Sequence, residues 1–105
     1  MTAERRTVRT TQSFFVDLDR QLPSERGPNG EPSAHDFQVF ELLRIVEVFA
    51  TAFDDLPTLI RGRDDYRILI TTGIFVSRLA VVGQLVSDNA IELIELDLDT
   101  EGGAE

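Results

Sequence analysis

The sequence contains no cysteine, no tryptophan and no lysine. Without cysteine, neither a disulfide framework nor a thiolate metal site can form, and cysteine nucleophiles are excluded. No apolar run approaches the ~20 residues of a membrane-spanning helix. The first residues, through Arg5 and Arg6, lack the apolar stretch of a secretion signal. These absences predict a cytoplasmic protein with no membrane contact. Histidine is nearly absent as well. The single His35 sits where a helix should start, and its position predicts an exposed side chain. Acids occur as doublets, Asp54-Asp55 and Asp64-Asp65, where helix ends and turns recruit Asp anyway. No metal or other cofactor is therefore expected. Gly27 and Gly30 follow no strand and precede no Lys-Ser/Thr pair, which excludes a phosphate-binding loop of the usual kind.

What is present is charge of one sign. The chain has 105 residues with 10 basic and 19 acidic side chains, a net charge of −9, and every basic residue is arginine. This length supports one domain, over residues 1–105, with one modest core. The acidity opposes generic nucleic-acid binding, which rests on neutralising phosphates. It is also uneven. No basic residue follows Arg78, whereas Asp88, Glu92, Glu95, Asp97, Asp99, Glu101 and Glu105 do. That stretch reads as a solvated strand face with a tail, or as a surface for a basic partner or a cation.

Patterning predicts the elements in order. Residues 6–11 are β-branched and alternating, which predicts a short strand. Phe14, Leu18 and Leu22 recur at helical spacing and predict a helix over 12–22, ended by Pro23. Residues 23–32 hold three prolines and two glycines, which predicts a mobile loop. Ser33 and Asp36 suggest a capped start to a long helix over 34–53. Its stripe would be Val39, Leu42, Val46, Phe49 and Phe53, widened by Phe40, Leu43 and Ala50. Gln38, Glu41, Arg44, Glu47 and Thr51 would face water. Strands follow over 66–72, 77–86 and 91–98, with a turn at Ser87-Asp88-Asn89 and a disordered tail over 100–105. The prediction is α+β, ordered β-α-α-β-β-β, with a helical hairpin packed on a small antiparallel sheet.

Arginines are the chemistry-bearing residues. Arg61, Arg63, Arg67 and Arg78 are the only basic residues beyond position 44, and they bracket the first two strands of the meander. Two or three guanidinium groups on one sheet face would bind phosphate and stabilise charge developing on it. If strands 66–72 and 77–86 pair through Gly73, Arg67 and Arg78 should come close in space. The competing reading pairs these arginines with Asp64, Asp65 or the acids of the last strand.

Four segments together resemble the RelE/ParE toxin superfamily of type II toxin–antitoxin systems. They are "VRTTQSFFVDLDRQLP", "FELLRIVEVFATAFDDLP", "LIRGRDDYRILITTG" and "SRLAVVGQLVSDNAIELIEL". The resemblance spans about residues 7–98. It implies a compact β-α-α-β-β-β fold and ribosome-dependent cleavage of mRNA without metal. It further implies a cognate antitoxin as partner, and the ribosome or mRNA as target. By position it assigns phosphate binding at the catalytic site to Arg67 and Arg78 and a basic contact to Arg61; Arg63, two residues on, is a further candidate for RNA contact. Members carry a His, Lys, Arg or Tyr cluster after the last strand, where this chain has Asp97, Asp99, Glu101 and Glu105. That departure supports the alternative of a non-catalytic binding protein of the same fold, either a gyrase-type toxin or a diverged partner-binding module. A small homodimerising α+β domain is the third reading.

Overall fold

The computed structural model describes residues 5–28, 32–73 and 76–99. Part of the expected mobile loop (29–31) and the expected tail (100–105) lie outside the described residues. Strand β1 (Val8–Thr10) runs into helix α1 (Gln12–Gln21) through Thr11. The Thr11 hydroxyl accepts the Phe14 N–H at 3.3 Å, satisfying one of the amides a helix start leaves unpaired. Helix α1 buries Phe14 and Leu18, and the chain turns extended at Leu22 ahead of Pro23.

The second helical arm has three parts: α2 (Ala34–Asp36), a π-helical turn (Phe37–Glu41) and α3 (Leu42–Ala52). Ser33 and Asp36 form a reciprocal capping box at its start. Arg26 reaches back from the preceding loop and donates to both Asp36 carboxylate oxygens, at 3.1 and 2.9 Å. These bonds, helped by the Ser33 N–H, hold the Asp36 carboxyl far below the usual carboxylate range. A carboxyl depressed on folding contributes stability that is complete above its unfolded value, about 4, and is lost as pH falls below it. Thermal unfolding followed from pH 7 to pH 3 should therefore show stability falling below about pH 4. Asp36→Asn should flatten that fall, and an unchanged slope would remove the capping box from the account.

The arm is one helix in place, as predicted, but not in register. The π-helical turn carries one extra residue and rotates the stripe. Phe37, Glu41 and Ile45 are buried beside the expected Phe49, Ala50 and Phe53. Glu41, expected in water, is 1% exposed, whereas Val39, Phe40 and Leu43 are 42%, 52% and 69% exposed. His35 is exposed.

After a 3-10 turn (Phe53–Asp55) the chain forms β2 (Thr58–Ile60), β3 (Arg63–Thr71), β4 (Arg78–Leu85) and β5 (Ile91–Asp99). The predicted order thus gains a strand: three residues between Pro57 and the Arg61-Gly62 turn are too short to carry a pattern. Gly62 adopts φ +82°, the left-handed region that favours glycine. The sheet order is β1-β5-β4-β3-β2, with β1 parallel to β5 and the other pairs antiparallel. The architecture is α+β, with the helices packed on one face of a five-stranded mixed sheet.

Leu79, Val81, Ile91, Leu93 and Leu96 form the sheet side of the core, against Phe14, Leu18, Ile45 and Phe49. At Gly83 the Phe49 ring lies so close that a Cβ would stand 2.5 Å from its Cε1.

Helix α1 also closes one edge of the sheet. Strand β1 pairs with only the first residues of β5, Ile91 to Leu93. Beyond them, side chains one helical turn apart replace the missing strand. The Ser13 hydroxyl donates to Ile94 O, at 2.8 Å. The Asp17 carboxylate accepts the Leu96 N–H at 3.0 Å. Gln21 donates to Leu96 O at 2.7 Å and accepts the Leu98 N–H at 2.6 Å. An unpaired strand edge recruits other strands, and this polar row blocks that.

Candidate functional site

The structure separates Arg67 from Arg78. Arg67 pairs across the ladder with Gly83, while Thr71 pairs with Leu79. Arg78 therefore lies about five residues along the strand from the point opposite Arg67, roughly 17 Å at strand rise. It also projects to the opposite face, because Arg67 shares the parity of Leu69 and Val81 whereas Arg78 shares that of Ala80 and Val82. The expectation that Arg67 and Arg78 come close is thereby corrected: the strands pair, but the two residues occupy opposite ends and faces.

Arg67 is occupied by the chain itself. It donates to three backbone carbonyls: Asp64 at 2.8 Å, Asp54 at 3.0 Å and Leu56 at 2.8 Å. Its guanidinium lies 5.4 Å from the Phe53 ring centroid. It thus fastens the 3-10 turn to the sheet. Arg63 forms a fork with Asp65, at 3.0 and 2.8 Å, and stacks 4.8 Å from the centroid of Tyr66. That fork raises the Arg63 pKa and lowers that of Asp65. Arg61 is exposed in the β2–β3 turn, and Arg78 is exposed opposite Asp99. The arrangement brings Arg61 and Arg63 into one hairpin but gathers no three-arginine cradle on one face.

A different site lies at the other edge of the sheet. Strand β2 pairs with β3 only as far as Arg67, and the last bond on that side is Ile68 N–H to Pro57 O, at 3.0 Å. By the two-residue period of a strand, the Ile70 N–H and C=O point the same way. Among the described residues, no strand pairs with β3 there. Beside this edge, between β3 and α3, lies a cavity of about 400 Å³. Leu43, Ile45, Val48, Leu69 and Leu79 give it apolar walls, and Glu41, Arg44, Glu47 and Thr71 supply polar groups. The buried Glu41 carboxylate has Arg44 at 3.4 Å, and Glu47 is held at 2.6 Å by Arg5. A free strand edge next to an apolar hollow can take an extended chain, with alternate side chains entering the hollow.

The sequence reading missed this site. Its signal was the helix stripe itself, which was wider than one packed face needs: Leu43 lines the cavity and is 69% exposed. No protein family, curated protein or solved structure matches the chain.

Proposed function

We propose that this protein is a partner-binding component of toxin–antitoxin type, acting through the free edge of β3 rather than by cleaving RNA. One observation carries the reading: the open Ile70 backbone adjoins a cavity with apolar walls, in a sheet where α1 blocks the part of β5 that lies beyond β1. An extended segment of the antitoxin-like partner would pair with β3 and seat an apolar side chain between Leu43, Val48 and Leu69. RNA cleavage draws no support from the arginines, because Arg67 is bonded to three carbonyls of its own chain and Arg78 lies on the other face.

The test is co-purification and titration with a candidate small partner protein from a neighbouring gene. Ile70→Pro removes the free N–H, and Leu43→Glu charges the rim at an exposed position. Each should weaken the complex by about tenfold or more while leaving the fold intact. Wild-type affinity in both variants would overturn the proposal. So would mRNA cleavage in a translating extract that Arg78→Ala abolishes.

A further inference from the structure

The sheet face away from the helices has the wrong composition for a face left in water. Antiparallel sheets with one solvated face place polar residues there. Here the helix-free face carries Ile68 and Ile70 on β3 and Ala80 and Val82 on β4, paired Ile68–Val82 and Ile70–Ala80. Ile70 is 54% exposed, Ile68 and Ala80 are half-buried, and Val82, at the centre of the strip, is buried at 6%. Tyr66 and Gln84 close one end of this apolar strip, as a directly opposed pair.

One side of the strip is acidic. Strand β5 sets Glu95 opposite Val82, Asp97 opposite Ala80, Asp99 opposite Arg78 and Glu92 opposite Gln84. The ends are balanced within the protein, since Arg9 on β1 pairs with Glu92 and Arg78 stands across from Asp99. The middle is not. Glu95 and Asp97 are exposed and have no ion pair among the described residues.

We propose that this face binds an amphipathic helix of a partner protein, apolar along the strip and carrying Lys or Arg along the edge that meets Glu95 and Asp97. The dimensions agree. From β3 to β5 is two strand spacings, about 10 Å, close to the diameter of a helix. From Tyr66 to the level of Arg78 is about 20 Å of strand, which matches three to four helical turns. The charge chooses between occupants. A second copy of a chain with net charge −9 brings more acid to an acidic surface, and phosphate is repelled by it. A basic partner is attracted. This face is distinct from the β3-edge cavity, and the two proposals stand or fall separately.

The probe is a synthetic 14-residue helical peptide with leucine on one face and lysine along one flank, set against the same peptide with glutamate in place of lysine. Titration into the isotopically labelled full chain should shift the amides around Ile68, Ile70, Ala80, Val82, Glu95 and Asp97. The lysine peptide should bind about tenfold or more tighter than the glutamate peptide, and weaken as salt rises. Glu95→Arg with Asp97→Arg should reverse that order, and Ile70→Asn should weaken both peptides. Equal binding of the two peptides overturns the proposal. So do shifts confined to Leu43, Leu69 and Thr71, or a dimer of the chain alone that Ile70→Asn dissociates.

Discussion

Arg67→Ala should lower the melting temperature by about 10 °C or more, corresponding to roughly 2–3 kcal/mol in a domain of this size. The Arg67 guanidinium fastens the 3-10 turn to the sheet. It donates to the carbonyls of Asp54, Leu56 and Asp64. Removing it releases the 3-10 turn from β3 and uncovers the Phe53 ring beneath it. Arg67→Lys should recover little, because one ammonium cannot match three carbonyls spread around a planar fork. The comparison separates two roles for the same residue. A phosphate-binding arginine is dispensable for folding, so a variant that loses function with an unchanged melting temperature would reject the fastening role.

Gly83→Ala should destabilise the protein by about 2–4 kcal/mol in urea unfolding. The added methyl would stand 2.5 and 2.8 Å from two carbons of the Phe49 ring and 3.1 Å from Ile91 Cγ2. Phe49 and Ile91 are both fully buried, so neither has room to retreat. The ladder is already irregular there, since the β4–β5 register shifts between Val82 and Gly83. Phe49→Leu removes the ring edge that causes the clash. Combined with Gly83→Ala it should lose clearly less than the sum of the two single changes. Strict additivity would mean that the ring is not what Gly83 accommodates.

Both effects were only partly legible in the sequence. The α1 stripe, the Ser33 cap, the β4 alternation and the acidic β5 all announced themselves through local period and turn chemistry. The choice of covered face on β3 did not. Tyr66, Ile68 and Ile70 make the more apolar parity, yet the helices cover the parity of Arg67, Leu69 and Thr71. The neighbours decide it: β4 turns Leu79 and Val81 inward, and β3 must follow its partner. This is also why four arginines near each other in sequence do not form one site. The rotation of the long helix was hidden for a related reason. A π-helical turn changes the local spacing, so Val39, Phe40 and Leu43 look buried under ordinary helical spacing, while Phe49, Ala50 and Phe53 keep their expected burial. The burial of Glu41 was not legible at all, because a lone carboxylate at that position fits the water side equally well.

The placement of α1 and β1 carries a consequence for how the molecule is made. Val8 to Thr10 pair with Ile91 to Leu93, and Ser13, Asp17 and Gln21 bond to the backbone of residues 94–98. Residues 8–21 leave the ribosome before residues 91–98 and therefore wait for β5 before these partners exist. Until then Phe14 and Leu18 have no sheet to cover, and a free-standing helix of ten residues is marginal in water. A nascent chain halted before Ile91 has emerged should remain open to proteases, and protection should arrive in one late step once β5 has cleared the exit tunnel.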